Sequence, residues 1–128
     1  MNKRHKELET IRSDAKEIFK SCLVAVDPYR AVKRFVHVEG NRLMVGMEGK
    51  PKTEFYLAEF DHISLVGAGK ATAPMARAIE DLLGERIHKG LINLKYGFTE
   101  KLAFTEIVEA GHPVPDENGV KGTKKILD

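Results

Sequence analysis

The feature that most constrains this chain is an apolar run that ends in a glycine-rich turn and continues as a helix-like stretch. Residues 63–84 read ISLVGAGKATAPMARAIEDLLG. The apolar run before the glycines predicts a strand. Pro74 lacks an N–H and fits only the first helical turn, so the next stretch predicts a helix that starts near Ala71–Thr72 and stops at Gly84. A strand, a turn and a helix in this order indicate an α/β unit.

Two further apolar segments extend this unit. HKGLINLKYG at residues 88–97 predicts a second strand, and AFTEIVEAGHPVP at residues 103–115 predicts a third strand over Phe104–Glu109. A helix is expected to begin near Glu117. Because the strands are apolar along their length, we expect an α/β fold with a mostly parallel sheet that is covered by helices on both faces. The strand–helix–strand core therefore occupies residues 61–128.

The first 36 residues form a helical lead-in. Apolar residues recur at three- and four-residue steps over residues 4–26, which predicts a long amphipathic helix. Asp27 and Pro28 suit the N-cap and first position of a second helix. Both helices are expected to pack on the parallel sheet. Between lead-in and core, Gly40-Asn41 indicates a hairpin, and residues 46–56 are expected to form an exposed loop.

Composition excludes several classes of function. The chain has 21 basic and 19 acidic side chains among its 128 residues, and this balance argues against a nucleic acid or an acidic membrane surface as the partner. A single cysteine rules out a disulfide within the chain. No apolar run is long enough for a signal or membrane-spanning segment, so a cytoplasmic location is the default expectation.

The last helical pattern stops as its apolar face is being established. Val120, Ile126 and Leu127 begin that face, and no glycine or asparagine stop follows. We therefore expect the chain to be the N-terminal piece of a longer protein, whose remaining part covers the sheet.

The Gly67–Lys70 turn has the features of an anion site. Glycines let main-chain N–H groups approach a ligand, the following helix presents its positive end, and Lys70 adds a full charge. The sequence does not match a P-loop, because Ser64 and Ala71 occupy the positions where glycine and serine or threonine are needed, and this disfavours a Walker-type ATPase. An NAD fingerprint is disfavoured because the next strand ends in Lys95 rather than an acidic residue. A tight turn with a solvated lysine remains the alternative.

Two other loops should lie at the same edge of the sheet, where open α/β sheets bind ligands. Lys95 ends the second strand, and Gly111–Asp116 follows the third. The second of these loops is stiffened by two prolines, and His112 and Asp116 are candidates to orient a substrate or a metal-bound phosphate. A structural histidine and a helix-capping role for Asp116 remain open. No second histidine or cysteine has metal-ligand spacing, so no metal ligand is assigned.

Three of these blocks carry a family resemblance. LVGAGKATAPMARAIEDLLG, GLINLKYG and VEAGHPVPDENG, in this order and spacing, resemble the N-terminal domain of the glycerate 2-kinases. These are two-domain kinases with a C-terminal MOFRL domain, and some of them are historically labelled hydroxypyruvate reductases. The resemblance runs from about residue 6 to the end. One departure is Phe98, which stands where the family usually has histidine, so a ligand contact made by that histidine would be missing here.

The resemblance implies a Rossmann-like first domain with the active site in a cleft against the second domain. It also implies transfer of the γ-phosphoryl group of ATP to the 2-hydroxyl of D-glycerate, giving 2-phosphoglycerate, with ATP and Mg²⁺ as cofactors. Lys70 matches the family lysine that acts on the transferred group. The expected phosphate- and substrate-binding set is Gly67, Ala68, Gly69, Lys70, Ala71, Lys95, His112 and Asp116. Because the cleft needs the missing domain as a partner, this chain alone is expected to be nearly inactive.

Two other functions stay open. The first is an NAD(P)H-dependent hydroxypyruvate reductase, which the historical labels suggest and the absent acidic residue disfavours. The second is a non-catalytic module that binds a sugar phosphate or a nucleotide with the same glycine turn.

Overall fold

The computed structural model of the chain describes residues 3–128 and contains two three-stranded sheets. Its elements confirm the predicted α/β class with a parallel sheet flanked by helices. In chain order they are α1 (Lys3–Ala25), α2 (Pro28–Phe35), β1 (Val36–Glu39), β2 (Arg42–Val45), β3 (Thr53–Tyr56), β4 (Ser64–Ala68), α3 (Thr72–Leu83), β5 (Lys89–Lys95), β6 (Thr105–Ala110) and α4 (Glu117–Leu127).

The parallel sheet has the strand order β4-β5-β6 and is covered by α3 on one face and α4 on the other. Ile92 is fully buried, and it packs with Ala73 and Ala76 of α3. Because successive residues of a strand point to opposite faces, Asn93 faces the other way, and there it contacts Gly122 of α4. β5 thus lies between the two helices, as its apolar sequence predicts. The same expectation is wrong for β4, because α4 contacts β5 and β6, and Ser64, Val66 and Ala68 on one face of β4 are exposed.

A buried carboxylate fixes the entry to β6. Glu80 of α3 is 8% exposed, and its two oxygens accept hydrogen bonds from the amides of Ala103 and Phe104 at 2.7 and 2.9 Å. A buried carboxylate needs such partners to replace its lost hydration. The contact ties the loop between β5 and β6 to α3 and so sets where β6 begins.

The antiparallel sheet confirms one expectation and corrects another. The hairpin around Gly40-Asn41 joins β1 and β2 as predicted. The exposed loop predicted over residues 46–56 is too long, because Thr53–Tyr56 forms β3 and pairs antiparallel with β2. All four β3 residues are exposed, so the strand has no buried face that an alternating apolar pattern could reveal in the sequence. Pairing with β2 determines its extended conformation.

The N-terminal helices form as predicted, but their packing differs from the prediction. Asp27 caps α2 by accepting a hydrogen bond from the Arg30 amide at 2.8 Å. The main contact of α2 is α3, so α2 lies on a helix and not on the sheet. In α1 every side chain from residue 4 to 25 is exposed, including Phe19 at 64%. The expectation that α1 packs on the parallel sheet is therefore wrong for this structure. No helix within residues 3–128 is long and apolar enough to cross a membrane.

Candidate functional site

A cavity of about 560 Å³ lies at the carboxyl edge of the parallel sheet. Its walls come from the turn after β4, the ends of β5 and β6, the loop before α4 and the first turns of α4. Most of the residues predicted to bind substrate or phosphate line it, namely Ala68, Gly69, Lys70, Lys95, His112 and Asp116. Gly67 and Ala71 are absent from the lining. The three loops that the sequence placed at one edge therefore do meet there.

The turn after β4 offers fewer free amides than the sequence suggests. Gly69 has a φ of +110°, a backbone conformation that favours glycine, and its N–H donates to the carbonyl oxygen of Asn93 at 3.0 Å. The Thr72 amide in turn donates to the carbonyl oxygen of Gly69 at 3.1 Å. Both amides are thus engaged within the fold. The amides of Lys70 and Ala71 lie between them at the N-terminal end of α3, where helix amides attract anions, and of these two residues only Lys70 lines the cavity.

Gly67 is needed for close packing. A Cβ built on Gly67 would lie 2.5 Å from Cγ2 of Thr72 and 3.4 Å from Cγ2 of Ile92. Any side chain at this position would therefore push β4 away from the start of α3. This contact gives a reason for the glycine that is independent of any ligand.

The loop after β5 is held by contacts to β6 and α4. The Tyr96 amide donates to the carbonyl oxygen of Ala110 at 3.2 Å, and the Gly97 amide donates to a Glu109 carboxylate oxygen at 2.7 Å. Lys95 precedes this loop, and its Nζ lies 5.0 Å from the centroid of the Phe98 ring. Such a contact is a cation–π interaction. Phe98 thus contacts the side chain of a cavity lysine without itself lining the cavity.

Asp116 performs the capping role that the sequence left open. One carboxylate oxygen accepts a hydrogen bond from the Gly119 amide at 3.0 Å, and the other accepts one from the Tyr96 hydroxyl at 2.7 Å. Backbone hydrogen bonding from Gly111, followed by the bond from Tyr96, holds the pKa of Asp116 below its ordinary value of 3.8. The same bond raises the pKa of the Tyr96 hydroxyl above 10.0. This ionised carboxylate ties the loops after β5 and β6 to α4.

The loop that carries His112 is compact. A Cβ built on Gly111 would lie 2.5 Å from the carbonyl oxygen of Val114, so the chain turns back on itself immediately after β6. The His112–Pro113 peptide bond is cis. His112 is exposed, and it lines the same cavity as Lys70.

Three polar residues that line the cavity were not predicted as site residues from the sequence: Asn93, Thr123 and Lys124. Asn93 lies on β5, and its side-chain amide donates to the carbonyl oxygen of Gly119 at 3.0 Å. Thr123 and Lys124 lie one turn after Gly119 and Val120 on α4. The i, i+4 spacing of these four residues marks them as one helix face, and that spacing is the signal that could have found them.

The charges that line the cavity favour an anion. The cavity is lined by three lysines, Lys70, Lys95 and Lys124, and by a single carboxylate, that of Asp116. Mg²⁺ prefers carboxylate oxygens, and no group of three or more histidine, cysteine, aspartate or glutamate side chains within the described part of the chain could hold a metal ion. The lining residues thus fit a phosphate or carboxylate group, and they do not fit a divalent cation.

Comparison with known proteins gives consistent findings. Residues 14–128 match a family described as a domain of unknown function, DUF4147. A D-glycerate 2-kinase of Thermotoga maritima is 40% identical over 121 residues, which are 94% of this chain and 24% of that protein. A glycerate 2-kinase of Pyrococcus horikoshii is 36% identical over 118 residues, which are 91% of this chain and 24% of that protein. A crystal structure of a Pyrococcus horikoshii OT3 protein matches with a TM-score of 0.73 at 36% identity, over 91% of this chain and 25% of that one. The chain thus spans about a quarter of the length of these relatives.

Proposed function

This chain belongs to the DUF4147 family and is homologous to glycerate 2-kinases, and on that premise we propose a phosphoryl-transfer function for its full-length protein. The reaction is transfer of the γ-phosphoryl group of ATP to the 2-hydroxyl of D-glycerate, giving 2-phosphoglycerate and ADP. The observation that carries the proposal is the cavity at the carboxyl edge of the sheet, which is lined by three lysines and one carboxylate. Both substrates are anions, and this cavity attracts anions.

Lys70 is proposed to act on the transferred group. During the transfer the bond between the γ-phosphorus and its bridging oxygen breaks, and a bond from the 2-hydroxyl oxygen to phosphorus forms as the hydroxyl proton leaves. Negative charge spreads over the equatorial phosphoryl oxygens, and catalysis depends on positioning and on electrostatic stabilisation. Lys70 and the amides of Lys70 and Ala71 would stabilise those oxygens.

The other lining residues would orient the substrates. His112 stands on the same cavity as Lys70 and is proposed to hold the glycerate. Lys95 is proposed to bind a further phosphate or the glycerate carboxylate. Asp116 would act indirectly, because its oxygens already hold the Gly119 amide and the Tyr96 hydroxyl. It fixes the loop on which His112 lies.

Mg²⁺ accompanies ATP in kinases, where it neutralises phosphate charge. The lining residues lack the carboxylates to hold it, so no step of the proposal depends on a metal ligand from this chain. We expect the remaining part of the full-length protein to supply such ligands, together with the opposite wall of the cleft. For the same reason we expect residues 1–128 alone to turn over little or no substrate. Turnover by the short chain near that of the full-length protein would contradict this expectation.

The test uses the full-length protein with ATP, Mg²⁺ and D-glycerate, and identifies the product by ³¹P NMR. The Lys70→Ala variant is expected to lose activity by about a hundredfold or more, because a charge that stabilises the transition state is gone. Lys101→Ala is the matched control, since Lys101 is exposed and lies outside the cavity lining. Equal activity of the two variants would refute the role of Lys70.

The same protein separates the two other functions. A hydroxypyruvate reductase would oxidise NADPH when hydroxypyruvate is added. We expect no such oxidation, since β5 ends in Lys95 where an NAD site needs an acidic residue. A binding module would retain phosphorylated ligands without turnover, and that result would replace the kinase proposal.

A further inference from the structure

The loop between β6 and α4, residues 111–116, makes most of its hydrogen bonds within itself. It carries His112 and Asp116, which both line the cavity. One carboxylate oxygen of Asp116 accepts a hydrogen bond from the Gly119 amide at 3.0 Å, and the Gly111 amide also bonds to this carboxylate. A Cβ built on Gly111 would lie 3.2 Å from Cγ of Asp116, so the loop folds closely around the carboxylate. These bonds shape the loop, but they do not attach it to β5.

The Tyr96 hydroxyl attaches this loop to the end of β5. It donates a hydrogen bond to the second carboxylate oxygen of Asp116 at 2.7 Å and accepts one from the side-chain amide of Asn118 at 2.8 Å. Within the described part of the chain, these two hydrogen bonds are the ones that join residues 112–118 to an element other than α4. The hydroxyl is therefore the polar link between the loop of His112 and the strand β5.

Tyr96 is itself held firmly enough to serve as an anchor. Its amide donates to the carbonyl oxygen of Ala110 at 3.2 Å, and the amide of Gly97 donates to the carboxylate of Glu109 at 2.7 Å. Both acceptors lie at the end of β6. A tyrosine side chain has few rotatable bonds, so holding it in one orientation costs little conformational entropy. The backbone of Tyr96 is thus fixed at the sheet, and its side chain reaches from there to the start of α4.

The protonation states of the two partners suit this link at neutral pH. Backbone hydrogen bonding from Gly111, followed by the bond from Tyr96, lowers the pKa of Asp116, so the carboxylate remains an acceptor. The bond to Asp116 raises the pKa of the Tyr96 hydroxyl, so the hydroxyl keeps the proton that it donates. The link therefore does not require a change of charge on either side chain.

Tyr96 is absent from the cavity lining, whereas His112 is part of it. We propose that Tyr96 is a positioning residue, whose hydroxyl anchors the loop of His112 to the end of β5 and so fixes His112 at the cavity. The hydroxyl acts through Asp116 and Asn118 and not by contact with a substrate. Its removal leaves the loop with its internal hydrogen bonds but without those to Tyr96. The consequence for glycerate binding rests on the proposed function, and the anchoring itself does not.

Kinetics of the full-length protein test the effect on substrate binding. Tyr96→Phe removes the hydroxyl and keeps the ring. Because His112 is proposed to hold glycerate, we expect the KM for D-glycerate to rise about three- to tenfold, with kcat changed by less than about twofold. Tyr29→Phe is the matched control, since the Tyr29 hydroxyl also donates to a carboxylate, that of Asp81 at 2.6 Å, and neither residue lines the cavity. An unchanged KM in Tyr96→Phe, or an equal rise in Tyr29→Phe, would overturn the proposal.

A double-mutant cycle shows whether the hydroxyl acts through His112. In the His112→Ala background no imidazole is left to displace, so Tyr96→Phe should change the KM for D-glycerate by less than about twofold. A merely structural role of the hydroxyl would raise KM by the same factor with and without His112, and that result would overturn the positioning role.

Hydrogen exchange of the Gly111 and Gly119 amides in the full-length protein tests the anchoring without any assay of activity. Both amides bond to Asp116, and both should exchange at least about fivefold faster in Tyr96→Phe, because the loop opens more often. Tyr29→Phe should leave both rates unchanged. Equal exchange in Tyr96→Phe and the unchanged protein would overturn the proposal, whatever the kinase assay shows. Faster exchange in Tyr96→Phe, beside an unchanged protein that does not phosphorylate glycerate, would support the anchor and refute the proposed function.

Discussion

Replacement of Gly67 by alanine tests whether this glycine serves packing or ligand approach. The new methyl group would lie 2.5 Å from Cγ2 of Thr72, well inside van der Waals contact. Overpacking of this kind costs about 1–3 kcal/mol, and the lower entropy of the unfolded chain returns about 0.4–1 kcal/mol. We therefore expect Gly67→Ala to lower the free energy of unfolding by about 1–2 kcal/mol.

Thr72→Ser removes the clashing methyl group and should restore the lost stability. The nearest remaining atoms would be Ile92 Cγ2 at 3.4 Å and Thr72 Cβ at 3.8 Å, both ordinary contacts. Thr72→Ser alone should cost at most about 0.8 kcal/mol for one methyl group. The double variant should then be more stable than the sum of the single changes predicts, by about 1–2 kcal/mol.

Native-state hydrogen exchange of the α3 amides in the full-length protein measures this coupling. It suits the protein because residues 1–128 contain no tryptophan to report unfolding. Additivity of the two changes within about 0.5 kcal/mol would refute the packing argument. A double variant that regains stability but keeps a raised KM for ATP would show that the bare backbone of Gly67 also serves the ligand.

Three further predictions concern residues that the tertiary structure brings into play. Lys124→Ala should raise the KM for ATP or glycerate by about two- to fivefold, since an exposed charge contributes modestly, and the Lys101→Ala control should not. Glu80→Gln removes one acceptor from the amides of Ala103 and Phe104 and should cost about 1–3 kcal/mol of stability, measured against the exposed control Glu85→Gln. Asp116 has a lowered pKa, so its contribution to stability is present above 3.8 and is lost as the pH falls through the depressed folded value. The free energy of unfolding should therefore fall less between neutral and acid pH in Asp116→Asn than in the unchanged protein. An equal fall in both proteins would contradict this.

The family and the local structure around the site were accessible from the sequence because their signals are local. The glycine-rich turn after an apolar run predicted β4 and α3, and Asp27-Pro28 predicted the start of α2. The parallel order of the strands then required the turns after β4, β5 and β6 to share one edge. That rule predicts that Lys70, Lys95 and His112 lie at the same edge of the sheet, and all three line the cavity found there.

Other features depended on contacts between distant parts of the chain. β3 forms only because β2 offers a pairing edge. The apolar pattern of α1 predicts a packed helix face, whereas its side chains from residue 4 to 25 are exposed in the structure. The sequence alone suggested that every glycine of the turn exposes the backbone to a ligand. The structure assigns Gly67 to packing against Thr72 and the Gly69 amide to Asn93.

The polar residues of α4 that line the cavity show why some features can be predicted from the sequence and others cannot. Local sequence determines which residues are helical or extended, because turn geometry and capping act over a few residues. It does not determine which face of α4 lies over β5. That choice comes from the close fit of Gly122 against Asn93 and Val108, which also turns Thr123 and Lys124 towards the anion site. Residues close together in the sequence thus determine the glycine-rich turn and its lysine. The packing of α4 on β5 determines which side chains enclose the site.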